Sequence, residues 1–264
     1  MSDEHNAFLQ AGVAAARSAG KVIAAHFRRL PASAVRRKGV NDFVTRADLE
    51  AEAAIRRILA ERCPGHGILA EESGGAAAGE WLWVIDPLDG TTNFIRGIPQ
   101  FAVSLALLHG GRPQVGIVYD PLSQDLFHAL AGRGAFLNGR PIAVSATDDL
   151  AAALGATGFP FKAPELRPAY AGAFAALMGR CQDMRRCGAA ALDLAHVACG
   201  RYDFFWEAHL LPWDFLAGKL LVEEAGGRSG DFTGKELGLR SGTVLAANPL
   251  LFPALVREIG DWFR

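Results

Sequence analysis

One stretch, WLWVIDPLDGTTNF from Trp81 to Phe94, limits what this chain can fold into more than any other. Its opening apolar residues, with aromatic or β-branched side chains at Trp81, Trp83 and Ile85, predict a short buried strand that ends at Asp86-Pro87. Pro87 has no N–H to continue a ladder and a nearly fixed φ, so the chain is expected to turn there. The turn carries Asp86, the carbonyl of Leu88 and Asp89 around one bend, and their oxygens converge. Gly90 permits close approach of backbone to a ligand, while Thr91 and Thr92 offer hydroxyls and N–H groups to an anion.

Burying several carboxylates together costs several kcal/mol unless a cation compensates them. Hard oxygen donors of this kind suit Mg²⁺, Mn²⁺ or Ca²⁺, and a metal-bound phosphate is the natural ligand. The plainer alternative is a strand-to-loop corner in which Asp and Asp-Gly are turn formers. It accounts for Asp89-Gly90 but gives Asp86 nothing to do. Phosphatases with an aspartyl nucleophile use Asp-x-Asp-Gly-Thr, with the two acids two apart on one side of an extended chain. Here the acids are three apart with Pro between them, so Asp89 cannot be the paired acid, and both carboxylates are better read as metal ligands.

With 264 residues, half of them hydrophobic, the chain can bury a sizeable core as one large or two closely packed domains. The net charge of -1 gives no support for nucleic-acid binding, and the largest basic cluster, Arg36-Arg37-Lys38, reads as a solvated loop. The N-terminus has acids where a signal peptide needs a basic region, and no run is long enough to span a bilayer; a cytoplasmic location is expected. Cys63, Cys181, Cys187 and Cys199 have neither C-x-x-C spacing nor His at zinc spacing, and are expected to be reduced core thiols.

From His5 to Leu30 apolar residues recur at helical spacing until Pro31, predicting one long amphipathic helix. A basic link, Val35 to Gly39, leads into the segment from Asn41 to Asp48, and Ile55, Ile58 and Leu59 mark a second helix ending before Pro64-Gly65. Thr45-x-x-Asp48 fits an N-terminal cap as well as it fits a catalytic role. Ile68 to Ala70 reads as a strand delivering Glu71-Glu72, one of which can join the carboxylates. Ser73 to Gly79 is a flexible Gly/Ala-rich loop. Phe101 to Leu108, Val115 to Tyr119, Leu126 to Ala129 and Ala135 to Val144 then read as an antiparallel meander, with Asn138-Gly139 a further hairpin signal.

Beyond Val144 strands and helices alternate as in α/β units: strands at Leu154 to Gly158, near Met184, at Tyr202 to Trp206 and at Val244 to Ala247, helices at Ala169 to Met178, Gly188 to Cys199 and Trp213 to Ala225, and a closing helix. The expected organisation is a single domain, 1–264, with sub-domains of about 1–143 and 144–264 and a cleft between them. Asp214 suits the first turn of its helix on dipole grounds alone. Glu207 at a strand end and Gly188 to Ala190 at a helix start also admit purely structural readings.

Together these segments resemble the inositol monophosphatase family of Mg²⁺-dependent, lithium-sensitive phosphatases. The resemblance spans nearly the whole chain and rests on WVIDPLDGTTNF (Trp83 to Phe94), WDFLAGKLLVEEAGG (Trp213 to Gly227) and AEES (Ala70 to Ser73). It implies a layered αβαβα sandwich of the α+β or α/β class, with two N-terminal helices on an antiparallel meander sheet and a smaller α/β half. It also implies metal ligands at Glu71, Asp86, the carbonyl of Leu88, Asp89 and Asp214, holding two or three Mg²⁺, with Mn²⁺ an alternative. Glu71 rather than Glu72 matches the family's acid. The phosphate of a small-molecule monoester would meet Gly90 and Thr91; Glu71, Leu88, Asp89, Gly188, Ala189, Ala190, Glu207 and Asp214 complete the substrate set. Asp48, Glu71 and Thr91 take catalytic roles, with Asp48 beside Thr91 activating the attacking water, and no covalent phospho-enzyme is needed.

Ala189 replaces a hydroxyl residue present in many relatives, which removes one sugar contact. The resemblance is strongest to the branch acting on inositol 1-phosphate, through Glu207 and Thr157-Gly158-Phe159-Pro160. Fructose 1,6-bisphosphate, adenosine 3′,5′-bisphosphate and histidinol phosphate are the family's other substrates. Some bacterial relatives are accessory factors of transcription, a binding function of another class. Members are commonly homodimers, which is the expectation here.

Overall fold

The N-terminal helix α1 (Ser2–His26) begins a computed structural model that describes residues 2–39, 42–75 and 79–264. Asn41 and the Ala76 to Ala78 part of the Gly/Ala-rich loop lie outside the described residues. α1 stops short of the predicted Leu30, because Arg28 adopts a left-handed φ of 60° and its guanidinium donates twice to the Gly97 carbonyl. The expected basic link is instead a strand, β1 (Val35–Gly39), paired antiparallel with β2 (Asp42–Thr45). Its side chains are largely exposed, so no apolar alternation announced it.

α2 (Arg46–Arg62) follows, and then β3 (Gly67–Ala70) and β4 (Trp81–Asp89). β4 does not end at Asp86-Pro87 as expected: its pairing resumes at Asp89 after an irregularity between Asp86 and Asp89. A bulge tolerates a proline because no ladder N–H is required there. α3 (Thr91–Ile95) is a single short turn. The meander runs through β5 (Ala102–His109), β6 (Arg112–Asp120), β7 (Asp125–Leu130), β8 (Ala135–Leu137) and β9 (Arg140–Ile142). Among the described residues β3 to β9 form one seven-stranded sheet in sequence order, antiparallel except that β3 lies parallel to β4.

The second half contributes β10 (Leu154–Thr157), α4 (Arg167–Met178), β11 (Asp183–Arg185), α5 (Ala190–Ala198) and β12 (Phe204–Ala208). It closes with α6 (Pro212–Glu224), β13 (Arg228–Gly230), β14 (Thr243–Ala247) and α7 (Phe252–Gly260). Its strands form a mixed five-stranded sheet in the order β11-β10-β12-β14-β13. β13, three residues long and ending in glycine, was not anticipated from the sequence.

Strand alternation explains how these pieces stack. In β4, Trp83 and Ile85 pack into a core with Ala15, Ala19 and Ile23 of α1 and Ile55 and Leu59 of α2. Leu82 and Val84 face the opposite way, into a core with Leu194 of α5 and Leu216, Leu220 and Leu221 of α6. That second core also takes Phe205 and Ala246 from the five-stranded sheet. On the sheet's far side Phe204, Trp206 and Leu245 pack with Tyr170 and Leu177 of α4 and Leu255 and Ile259 of α7. The layers are thus α1/α2, seven strands, α5/α6, five strands, α4/α7: the αβαβα sandwich. Truncating one of these fully buried leucines to alanine costs about 2–5 kcal/mol. No helix among the described residues is long and apolar enough to cross a membrane.

Candidate active site

A cleft of about 440 Å³ opens where the C-terminal ends of β3 and β4 meet the N-terminal ends of α3, α5 and α6. Its lining includes Glu71, Asp86, Leu88, Asp89, Gly90, Thr91, Gly188, Ala190, Glu207 and Asp214. Residues separated by more than 140 positions are thereby brought together. Two expected site residues are not on its wall: Ala189 is buried, and Asp48 stands behind Thr91. Glu72, the acid set aside on sequence, is likewise absent from the lining.

Each aspartate directs an oxygen to a backbone N–H: Asp86 to Leu88 at 2.9 Å, Asp89 to Ala191 at 2.8 Å, and Asp214 to Leu211 at 2.7 Å. The Asp89 bond joins β4 to the first turn of α5, where the helix dipole favours negative charge. Gly90 turns the chain into α3 with φ 92°, and a Cβ there would stand 2.8 Å from the Gln100 carbonyl. Only glycine meets both conditions. Asn93 closes the corner by donating to the carbonyls of Gln100 and Cys187, both at 2.8 Å, and Ser104 donates to the Trp213 carbonyl at 2.9 Å.

The cleft concentrates negative charge. Burial, followed by the charges of Glu71, Asp89 and Asp214, pushes the Asp86 carboxyl well above its ordinary range. Asp89 rises to about 7, chiefly from burial, with Glu207 and Glu71 adding to it while the Ala191 N–H opposes. Asp214 is raised by burial and then by Asp89 and Glu71, against its bond from Leu211. Glu207 rises to about 8 by burial, despite the opposing charge of Arg186. It is also wedged against Gly158, where any Cβ would overlap its carboxyl group.

These residues suit a hard divalent cation. The donors are all oxygen, and the acids repel one another in a buried setting that a positive charge would relieve. Among the described residues no three His, Cys, Asp or Glu side chains are gathered tightly enough to grip one ion as they stand. Glu71 is drawn aside by Lys38, whose ammonium lies 3.0 Å from it and 2.9 Å from Glu72. Burial works against that ammonium, but the two glutamates more than offset it and raise its pKa. Asp86, Asp89 and Asp214 each feel the negative charge of neighbouring acids, and a cation placed among them would relieve that repulsion.

Asp48 serves two structures at once. One oxygen accepts from the Thr45 N–H at 2.8 Å and the Thr45 hydroxyl at 2.5 Å, while the Thr45 hydroxyl accepts from the Ala47 N–H. This is the capping of α2 that the sequence suggested. The other oxygen lies 3.1 Å from the Thr91 hydroxyl, which is also 3.1 Å from the Leu88 carbonyl. A hydroxyl has one proton, so Thr91 divides it between two acceptors. Burial raises Asp48 to about 6, against the hydrogen bonds from Thr45 and Thr91.

Lys38, Asn93, Phe159, Phe161, Lys162, Arg186 and His209 were not singled out as site residues on sequence grounds, although all but Lys38 line the cleft. A basic run and a Phe-Pro-Phe loop carry no spacing signal that separates them from ordinary surface.

The sequence pattern of the inositol monophosphatase family matches residues 4–261. Nus factor SuhB of Escherichia coli (strain K12) is 47% identical over 255 residues, covering 96% of each chain. The extragenic suppressor protein suhB from Bartonella henselae superposes with a TM-score of 0.89 at 39% identity, covering 95% of this chain and 97% of that one. The inositol monophosphatase from Anabaena gives 0.86 at 42% identity, covering 96% and 95%. The chain belongs to the inositol monophosphatase family.

Proposed function

We propose that this protein is a divalent-metal-dependent phosphomonoesterase acting on a sugar or polyol phosphate, with inositol 1-phosphate the first candidate substrate. The observation that carries the reading is the convergence of Glu71, Asp86, Asp89 and Asp214 in one cleft beside the Asp48–Thr91 pair. Glu71, Asp86, the Leu88 carbonyl, Asp89 and Asp214 would hold the cation, with Mg²⁺ favoured by family membership. When bound, it supplies Lewis acidity and offsets the charge of phosphate and carboxylates.

The chain's own residues do the rest. Gly90 and Thr91 present backbone to the phosphoryl group at the start of α3. Thr91, held between Asp48 and the Leu88 carbonyl, orients the attacking water, and Asp48 accepts a proton through that hydroxyl. A carboxylate displaced to about 6 is suited to general-base work near neutral pH. Glu207 and the backbone at Gly188 and Ala190 receive the hydroxyls of the leaving alcohol.

The test is release of inorganic phosphate from inositol 1-phosphate, fructose 1,6-bisphosphate, adenosine 3′,5′-bisphosphate and histidinol phosphate, with Mg²⁺ and with or without Li⁺. Turnover that needs Mg²⁺, is inhibited by Li⁺ and is lost in Asp89→Asn supports the proposal; turnover that survives Asp89→Asn refutes it.

A second reading, an accessory binding factor in transcription with secondary phosphatase activity, is favoured by one finding. Relatives 47% identical over 96% of the chain bear the name Nus factor SuhB. That name also bears on the expectation, drawn from charge alone, that nucleic acid plays no part. Normal growth of cells whose only copy is Asp89→Asn would favour this second reading.

A further inference from the structure

Glu207 keeps its place in the cleft without a hydrogen bond of its own: among the described residues its carboxyl accepts none. Backbone bounds it instead, because the carboxyl lies against Gly158, which has no side chain to push it away. Gly158 directly follows β10, and Glu207 belongs to β12. These two strands run parallel, with Thr157 opposite Trp206. Whatever holds their ends together therefore sets where the carboxyl can lie.

Two buried hydroxyls make that tie. Tyr170 of α4 donates to the Gly158 carbonyl and meets the Thr157 hydroxyl. Thr157 in turn donates to the Trp206 carbonyl at 2.7 Å. Two protons thus serve two carbonyls, one at Gly158 and one in the residue before Glu207. Burial pushes the Tyr170 hydroxyl up, so it stays a donor, and it also feels the charge of Glu207.

A buried tyrosine ordinarily just finds an acceptor for its hydroxyl. Here the ring alone would satisfy the core: Tyr170 is 3% exposed and stacks on Trp206 with centroids 4.2 Å apart. Phenylalanine would pack as well, so what the hydroxyl adds is its hold on Gly158. A shift of that backbone moves the surface on which the carboxyl leans, and functional groups tolerate displacements of only about 0.5 Å.

We propose that Tyr170, acting with Thr157, is a positioning residue for Glu207: it fixes the Gly158 backbone that seats the carboxyl, and thereby governs affinity for the hydroxyls of the leaving alcohol. This rests on the proposed function and concerns alcohol selectivity, not the bond-breaking step.

The experiment measures KM and kcat of the full-length protein in Mg²⁺ for two esters. One is the sugar or polyol phosphate it hydrolyses best; the other is 4-nitrophenyl phosphate, whose leaving group offers no further hydroxyl. Tyr170→Phe should raise KM for the first about three- to tenfold, the scale of one weakened hydrogen bond, with kcat kept and the second ester unaffected. Thr157→Val should act in the same direction, and Thr157→Ser should match wild type. In a Glu207→Ala background Tyr170→Phe should raise KM no further. An unchanged KM, an equal shift for both esters, or effects that multiply in the double variant overturn the proposal.

Should no sugar or polyol phosphate be hydrolysed, the proposed function fails while the positioning role is still decided by crystal structures of wild type and Tyr170→Phe. A Glu207 carboxyl displaced by about 0.5 Å or more supports it, and an unmoved one overturns it. If Tyr170→Phe does not fold, the same comparison with Thr157→Val decides.

Discussion

The two walls of the cleft are built in opposite ways. On one side Asp86, Asp89 and Asp214 sit at element ends, Asp86 buried and the other two half-buried, each tied to a backbone amide. On the other, Phe159, Phe161 and Arg186 meet through ring faces, and Phe161 is 50% exposed. Charges locked to backbone hold their geometry whatever enters, whereas a stacked aromatic and cation pair can shift with the shape of its guest. Under the proposed function the first wall would fix the chemistry, and the second would be where substrates are told apart. Glu207 lies between them, half-buried and within the electrostatic reach of both Arg186 and Asp214.

The contrast breaks most severely at Asp48. Asp48→Ala should lower kcat about 10²- to 10⁴-fold, the range for a general base, with KM little changed. It should also destabilise the protein by about 1 kcal/mol through loss of the α2 cap, read by thermal unfolding. Asp48→Asn, which retains a capping oxygen, should keep most of the stability and lose the rate.

Next in size is the pH dependence of the protein stripped of metal by chelator. Asp89 and Glu207 titrate at about 7 and 8 in the fold, and Asp86 and Asp214 are also raised. A raised carboxyl binds its proton more tightly folded than unfolded. Its stabilisation is complete below the unfolded pKa, about 4, and disappears as pH climbs through the folded value. Tm should therefore fall from pH 6.5 to 8.5, and Mg²⁺ should reverse the fall. His196 acts in the other direction: burial depresses it to about 4, so its contribution is lost as pH drops below about 6.5. Glu207→Gln should flatten the upper limb alone, and an unchanged limb would remove Glu207 from this account.

A smaller effect is expected of Glu207→Gln on turnover: KM raised about tenfold, from one weakened hydrogen bond to the alcohol, with kcat nearly kept. Gly158→Ala should reproduce it by displacing the Glu207 carboxyl. The smallest concerns Lys38, whose partly exposed ion pairs contribute at most about 1 kcal/mol. Lys38→Met should leave Tm nearly unchanged and tighten Mg²⁺ binding a few-fold in calorimetry, since it frees Glu71 from a competing cation.

How much of this was legible follows the same division. Period-two alternation at Trp81 to Ile85 foretold a buried strand, and the turn residues of the meander foretold its hairpins. The acids after it were conspicuous because two carboxylates beside an apolar run have no cheap structural excuse. Asp214 and Glu207 became visible only through resemblance, since a first-turn acid and a strand-end glutamate look alike in any sequence. The β1–β2 hairpin was missed because exposed strands such as Val35–Gly39 carry no apolar pattern. Pro87 misled for a related reason: a bulge lets a strand continue through a residue that normally stops one. Arg186 and Lys38 stayed hidden because the role of a surface cation depends on what the fold sets opposite it.

The alternation within β4 also limits how this protein can change length. Trp83 and Val84 are neighbours in the chain yet belong to different hydrophobic interiors, and the acids hang from the end of the same strand. Deleting one residue there would exchange the contents of both interiors and reposition the carboxylates in a single event. Insertions and deletions should consequently accumulate at exposed turns such as His109 to Gly111, while the spacing from Trp81 to Asp89 stays invariant across any set of working variants.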